Sequence, residues 1–310
     1  MKVVIIGQQD FGKSVLEKFL ERGDQVVAVF CAPEKPGARP DPLKVAAVEK
    51  GVTVHQFASL KTPEAEAAMR SLDADIGVMA YVLQFAPQAL VNIPRLATIQ
   101  FHPSVLPRYR GPSSINWPII RGDTHTGLTI FRPTDGLDEG PVILQKTCEI
   151  GADETIGEVY FSKLYPMGVA AMIEAADLVF AGGHHEVVQD EKQATYEGWC
   201  RDAEAKINWA NHVDFTYNLI RGCNPAPGAW TTLNGRKLQI FDARKHAYRT
   251  FGDTRGKVGE VTDVSETGFM VGCQGGRIQV LRVKAEDDKK IGAGEFAASG
   301  GVAAGAFLGS

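Results

Sequence analysis

The sequence predicts an α/β domain built on a mostly parallel sheet, followed by a smaller β-barrel. Three observations carry that prediction. The chain opens with a β-branched run, Lys2 to Ile6, that stops at Gly7 and gives way to apolar positions at helical spacing. Strand-like and helix-like segments then alternate as far as about residue 180, and such alternation builds parallel sheets covered by helices on both faces. Beyond residue 205 the pattern changes to short strands divided by Asn-Gly and Gly-Gly turns, as in a small barrel.

Taken in order, Lys2 to Ile6 is a buried strand, and Lys13 to Leu20, with Val15, Leu16, Phe19 and Leu20 on one face, is the helix after it. Gln25 to Cys31 is a second buried strand and Pro42 to Glu49 a helix; Asp75 to Ala80 and Ala97 to Phe101 are further strands between helical spacers. Ser113 to Ile120 is expected as a helix, Gly127 to Phe131 and Val142 to Thr147 as strands. Thr155 to Phe180 is expected as one long helix, entered through Asp153, Glu154 and Thr155 as capping candidates. That helix closes a first domain over residues 1–181. Residues 182–205, polar and irregular with Gly182-Gly183 and paired histidines, are expected as a linker. Residues 206–310 form the second domain: a helix near Val213 to Arg221, then five strands at Ala229 to Leu233, Lys237 to Asp242, Gly256 to Asp263, Gly268 to Gly272 and Gln279 to Val283. The last dozen residues, rich in Gly and Ala, are expected as a loose tail.

With 44% apolar and 23% charged residues, the 310-residue chain has the composition of a soluble protein with one large core or two modest ones. Its net charge of -4 provides no broad footprint for a polyanion. Five scattered cysteines without a C-x-x-C pair fit reduced thiols in the cytoplasm. The apolar run at the N-terminus is too short for a signal peptide, and no stretch of 18 apolar residues suggests a membrane span, so a cytoplasmic protein without a membrane partner is expected.

Four motifs invite a chemical interpretation. Gly7-Gln8-Gln9-Asp10-Phe11-Gly12-Lys13-Ser14 matches the phosphate-binding G-x-x-x-x-G-K-S pattern between a strand and a helix. The acid that should follow a second buried strand to hold Mg²⁺ is missing, so a tight strand-to-helix turn is favoured over a nucleotide site. His184-His185 lacks a carboxylate or Cys at ligand spacing, and no metal site is expected. The third motif is His102-Pro103-Ser104-Val105-Leu106-Pro107-Arg108-Tyr109-Arg110-Gly111, a stiff loop attached to a buried strand. At the carboxyl end of a strand in a parallel sheet, it lies where such sheets bind ligands. The fourth is Gly136-Leu137-Asp138-Glu139-Gly140, whose Asp could serve the turn or serve chemistry. A histidine and a carboxylate held in two rigid loops are the candidate catalytic pair, since imidazole titrates near neutrality and a carboxylate can orient it.

The HPSVLPRYRG loop, the GLDEG turn and their spacing resemble the formyltransferase fold shared by enzymes that use 10-formyltetrahydrofolate. Ile6-Gly7-Gln8, Gln84-Phe85-Ala86-Pro87, Ser114-Ile115-Asn116-Trp117, Ala194-Thr195-Tyr196-Glu197-Gly198, Ala205-Lys206-Ile207-Asn208-Trp209 and Pro227-Gly228-Ala229-Trp230-Thr231 extend the similarity over nearly the whole chain. They are similar to the amino-terminal hydrolase domain of 10-formyltetrahydrofolate dehydrogenase and, next, to methionyl-tRNA formyltransferase. The resemblance implies a Rossmann-like sheet with an OB-like barrel, His102 and Asp138 as catalytic residues, and 10-formyltetrahydrofolate as formyl donor without a metal. It places Gln84, Phe85, Ala86, Ser104, Val105, Leu106 and Pro107 on one side of a folate pocket, and Thr134, Asp135, Gly136 and Leu137 on the facing wall. Gln100 stands where family transferases carry Asn two residues before the His; it keeps the amide donor one methylene further out.

The formyl carbon on N10 is amide-like, so its release requires nucleophilic attack, a tetrahedral oxyanion and protonation of N10. His102 and Asp138 are the expected proton handlers, with Gln100 as oxyanion donor. Water as acceptor makes the protein a hydrolase; tRNA or a small amine makes it a transferase. Transferases acting on initiator tRNA carry a longer, basic loop after the second strand. Here Ala32 to Asp41 is short and charge-balanced, which disfavours tRNA. The domain it resembles is ordinarily followed by a carrier domain and an aldehyde dehydrogenase domain, which makes these candidate partners. A folate-binding module without turnover and a P-loop nucleotide switch are the competing alternatives.

Overall fold

The computed structural model describes residues 1–309. In chain order the first elements are β1 (Lys2–Gly7), α1 (Gln9–Glu21), β2 (Gln25–Cys31), α2 (Pro42–Glu49), β3 (Thr53–Gln56), α3 (Pro63–Ser71), β4 (Ile76–Ala80), α4 (Gln88–Val91) and β5 (Thr98–His102). They continue with α5 (Asn116–Arg121), β6 (His125–Phe131), β7 (Val142–Glu149), α6 (Ile156–Val159) and α7 (Tyr165–Ala181). The chain divides into two compact units. One comprises Met1–Gly111, Gly127–Cys148 and Ser162–Tyr196; the other comprises Pro112–Thr126, Glu149–Phe161 and the chain from Glu197 onward.

The first unit is built on a seven-stranded sheet in the order β3-β2-β1-β4-β5-β6-β7. Strands β1 to β5 run parallel, and β6 is antiparallel to β5. Alternate residues of β1 feed opposite faces, as strand geometry requires: Val3 and Ile5 join one apolar cluster with Phe11, Leu16 and Phe19 of α1, while Val4 and Ile6 join another with Leu60, Met69 and Leu90. Both faces of β1 and β4 are buried, which is why these strands appear in the sequence as continuous apolar runs. Gly7 is required by close approach: a Cβ there would lie 2.1 Å from the carbonyl oxygen of Ala80 on the adjacent strand.

Helix α6, a π-helical turn at Tyr160–Leu164 and α7 follow one another without interruption. Thr155 is the N-cap, accepting from the Glu158 amide while Glu158 accepts from the Thr155 amide, a capping box. The run Ile156–Ala181 is long and apolar enough to cross a membrane by length and composition alone. One face of it packs on the sheet, where Ala171, Met172, Ala175, Ala176 and Val179 belong to the core of the first unit, while Phe161, Leu178 and Phe180 stay exposed.

In the second unit, α8 (Val213–Gly222) precedes β8 (Ala229–Leu233), β9 (Arg236–Ile240), β10 (Ala243–Ala247), β11 (Val261–Ser265), β12 (Gly268–Cys273), β13 (Gly276–Val280), β14 (Arg282–Ala285), β15 (Lys290–Gly292) and α9 (Ala293–Ala298). The strands form two four-stranded sheets, β10-β13-β12-β11 and β15-β14-β9-β8, around one core. Eight strands stand where the sequence pattern predicts five. Strand β10 reads Ala-Arg-Lys-His-Ala and is exposed beyond its first residue, so it carries no apolar alternation; the predicted strand at Gln279 to Val283 is two strands broken at Leu281. The expected loose tail is also corrected. Leu308 and Val302 are buried, and Leu308 and Phe307 bridge to Leu233 and Glu260. Helix α5 groups with this unit because Asn116 Nδ2 donates to the carbonyl of Gly222 at 2.8 Å.

Candidate active site

His102 is the last residue of β5, one of the strands whose carboxyl ends line the same edge of the sheet. Strand alternation sends Phe101 to one face, where it stacks on Phe11 with ring centroids 4.4 Å apart, and sends Gln100 and His102 to the other. The His102 ring is buried between two oxygen atoms. Its Nε2 lies 2.8 Å from the carbonyl oxygen of Tyr109, and its Nδ1 lies 3.5 Å from Oδ2 of Asp138, whose side chain is also largely buried. A carbonyl can only accept, so Nε2 carries a proton and Nδ1 is the nitrogen that faces the carboxylate.

The loop from His102 to Gly111 folds on itself and on the sheet. Ser104 Oγ donates to the carbonyl of Arg108 at 2.7 Å. Thr129 on β6 donates to the Ser104 carbonyl and accepts from the amide of Leu106; Gln145 on β7 donates to the Leu106 carbonyl. The Leu106-Pro107 peptide is cis. Tyr109, Gly111 and Asp138 all have φ between 53° and 91°, a region costly for side chains other than Gly and the short polar ones. That turn directs the Gly111 amide onto Asp138 Oδ2 at 2.8 Å, which ties the two predicted motifs together. Gly140 closes the other side: a Cβ there would meet the Arg132 carbonyl at 1.7 Å.

The remaining predicted site residues fall into three groups. Ser104 and Leu106 are buried, their polar atoms taken up by Arg108 within the loop and by Thr129 and Gln145 on the sheet, whereas Val105 and Pro107 are half-buried. In the segment after β4, Ala86 is buried, Gln84 donates its amide to the carbonyls of Phe57 and Ala58, and Phe85 is 46% exposed beneath the Lys61 ammonium. On the facing segment Leu137 is 53% exposed, Thr134 accepts from the Gly136 amide, and Asp135 accepts from the Gln88 amide at 3.0 Å. This last bond ties the segment after β4, just beyond one predicted wall, to the other wall; Phe85 and Leu137 within the walls, and Tyr81 and Leu83 just before them, are exposed apolar side chains. Gln100 is half-buried, and its amide makes no hydrogen bond among the described residues.

A stretch that sequence patterning leaves as linker completes the loop's support. Thr195 accepts from the Tyr109 amide through its hydroxyl and from the Arg110 amide through its carbonyl. Arg110 is fully buried; its guanidinium donates to Gln189, Glu191 and Tyr196. The hydrogen bond to Glu191 raises the Arg110 pKa against the opposing effect of burial, and the same bond lowers that of Glu191. Gln189 in turn donates to the carbonyls of Asp138 and Gly140. The only sequence signal for this support was the Ala194-Thr195-Tyr196-Glu197-Gly198 string.

The phosphate-binding pattern is not built as such. Helix α1 starts at Gln9, directly after the strand, and the Gln9 amide donates to both carboxylate oxygens of Asp41 at 3.0 Å. A side chain of this protein thus holds the place an anion takes at a helix N-terminus. Ser14 bonds the Tyr165 hydroxyl instead of facing a ligand. His184 pairs with Glu186, and no group of three or more potential metal ligands occurs among the described residues.

Comparison with known proteins gives this site its family. The Formyl transferase model matches residues 1–175, and the Formyl transferase C-terminal domain model matches residues 200–300. The chain belongs to the formyl transferase family. Cytosolic 10-formyltetrahydrofolate dehydrogenase of Xenopus laevis is 35% identical over 96% of this chain and 34% of its own length. The chain therefore spans about a third of that relative. Methionyl-tRNA formyltransferase of Geotalea daltonii is 33% identical over all of this chain and 98% of its own length. Among solved structures, an N-formyltransferase from Helicobacter canadensis, in complex with folinic acid and dTDP-3-aminofucose, superposes with a TM-score of 0.68 at 18% identity, over 92% of this chain and all of that one. HypX from Aquifex aeolicus in complex with tetrahydrofolic acid gives a TM-score of 0.67 at 15% identity, over 95% of this chain and 46% of that one. At these identities the structures establish the formyl transferase fold, a mostly parallel sheet with a small antiparallel barrel.

Proposed function

We propose that this chain cleaves the N10-formyl group of 10-formyltetrahydrofolate by attack of water, releasing formate and tetrahydrofolate, with His102, Asp138 and Gln100 as catalytic residues. The buried juxtaposition of His102 Nδ1 and Asp138 Oδ2 at 3.5 Å carries the proposal. The separation exceeds a hydrogen bond, as catalytic contacts in unliganded sites often do, and it closes when a proton lies between the two groups. Asp138 Oδ2 is engaged by Gly111, whereas Oδ1 has no protein donor among the described residues and is the oxygen that would orient the attacking water. As water adds to the formyl carbon, its proton passes to the pair and His102 delivers a proton to N10. Gln100, on the same face of β5, donates its amide to the developing oxyanion.

The exposed apolar side chains around Gln84 to Ala86 and Thr134 to Leu137 would hold the pterin and its linker, consistent with the folate ligands named for the related structures. Transfer to an amine is the second reading. It is favoured by the similarity to methionyl-tRNA formyltransferase over nearly that protein's entire length. The segment Ala32 to Asp41 counts against tRNA, because its charges balance and the neighbouring Lys44 cation is already paired with Glu34. A carrier or dehydrogenase partner follows from the similarity to the longer dehydrogenases.

The deciding experiment incubates the protein with 10-formyltetrahydrofolate, with and without charged initiator tRNA, and follows tetrahydrofolate and formate. Formate release without added acceptor supports hydrolysis. Turnover only with tRNA reverses the ranking, and turnover in neither arm removes both hydrolysis and transfer to tRNA.

A further inference from the structure

We infer that Arg110 and Gln189 are positioning residues that set the geometry of Asp138 toward His102, an inference that rests on the catalytic reading of that pair. The carboxamide of Gln189 is fully committed. Its Oε1 accepts from Nε and Nη2 of Arg110 at 3.1 and 2.8 Å, and its Nε2 donates to the carbonyls of Asp138 and Gly140 at 2.9 and 2.7 Å. An amide has one acceptor atom and one donor atom, so the guanidinium on the oxygen side fixes the nitrogen side toward the turn. Rotating the amide would set its NH₂ against Arg110 and its oxygen against two carbonyls.

Both groups are buried. Arg110 has no exposed surface and Gln189 retains 6%; a buried network of this kind is rigid only while every member is satisfied. Asp138 itself sits at φ 53°, a conformation that surrounding contacts must impose. Two contacts do so, the Gly111 amide on its carboxylate and the Gln189 amide on its carbonyl. Arg110 unites them, because its backbone lies between Tyr109, whose carbonyl holds the His102 ring, and Gly111. One residue therefore meets the histidine loop through its main chain and the aspartate turn through its side chain.

The test uses the isosteric Gln189→Glu, which keeps an acceptor for Arg110 but removes the donor to Asp138 and Gly140, together with Arg110→Lys, which loses the forked geometry. Each is checked for native circular dichroism. Turnover of 10-formyltetrahydrofolate by Gln189→Glu is expected to fall on the order of 10²-fold in kcat, the scale of an ångström-size misplacement, with KM within about twofold of the parent. In an Asp138→Asn background the same change should cost no more than about twofold, since residues acting as a unit are not additive. Loss multiplying in full on Asp138→Asn overturns the inference, as does a folded Gln189→Glu with parental kcat. The ring-nitrogen ¹⁵N resonances of His102 give a readout independent of turnover: Gln189→Glu should displace them in the same direction as Asp138→Asn, and unmoved resonances overturn the inference. If the parent protein turned over no formyl-folate, the catalytic reading would fail while the spectra still decided the positioning.

Discussion

His102 Nε2 donates to the carbonyl oxygen of Tyr109 at 2.8 Å, which leaves Nδ1 as the only ring nitrogen facing Asp138. A main-chain oxygen seven residues away thus selects the tautomer. On the proposed reading the acid or base is the His102–Asp138 unit with its loop, and substitutions of the pair should be judged by what they do to protons on Nδ1.

Asp138→Asn should leave the fold intact, because an amide oxygen can still accept from Gly111 at the position Oδ2 now occupies. It should lower kcat for formate release by roughly 10² to 10⁴-fold, the usual contribution of a positioned acid or base. A continuous formate assay beside a thermal melt checks both parts. Full turnover with folate bound would remove Asp138 from the mechanism.

Gln100 separates two consequences of one side chain. Gln100→Leu should cost about 10²-fold in kcat if the amide serves the oxyanion, with little effect on binding of a non-hydrolysable folate measured by calorimetry. Gln100→Asn restores the shorter amide; it should keep turnover above that of the Leu variant, and equal loss in both would argue against an amide role.

Nucleotide should not bind at the start of α1. Calorimetry with millimolar ATP or GTP is expected to show no heat, because the Asp41 carboxylate already holds the Gln9 and Leu43 amides. The same contacts make Asp41→Ala destabilising by about 1–2 kcal/mol, the scale of a lost N-cap. Chemical denaturation measures this directly.

Glu34 gives an acid-side signature. Hydrogen bonds from Gln56 and Lys44 lower its carboxyl pKa from 4.5 to about 2. A carboxylate more acidic in the fold than in the unfolded chain stabilises the fold above the unfolded value. That contribution is lost as pH falls from 4.5 through about 2. Melting temperatures of the parent and Glu34→Gln should therefore differ at pH 6 and converge toward pH 2, and a constant difference would contradict the ionic origin.

The sequence pattern made the central strands legible because β1, β2 and β4 are buried on both faces and carry near-continuous apolar runs. It also made the two loops of the candidate site legible, since Pro and Gly break regular structure where the chain leaves the sheet. It could not reveal β10, whose Arg-Lys-His face is exposed, or the docking of Leu308, which depends on a bridge to Leu233 far back in the chain. The roles of Gln189, and of Thr195 within its quoted string, stayed hidden for a related reason. Apart from the Arg110 guanidinium on Gln189, their partners include main-chain groups 51 and 86 residues away, and a bond to backbone leaves no complementary residue type in the sequence to find.

On the proposed reading, the left-handed backbone at Asp138 sets local strain against activity. Glycine would adopt that conformation without cost, so Asp138→Gly should relieve local strain while deleting the carboxylate. The same exchange leaves the Gly111 amide without its acceptor, so the two effects on stability oppose each other, and on the proposed reading any library screened for thermal tolerance should hold position 138 fixed.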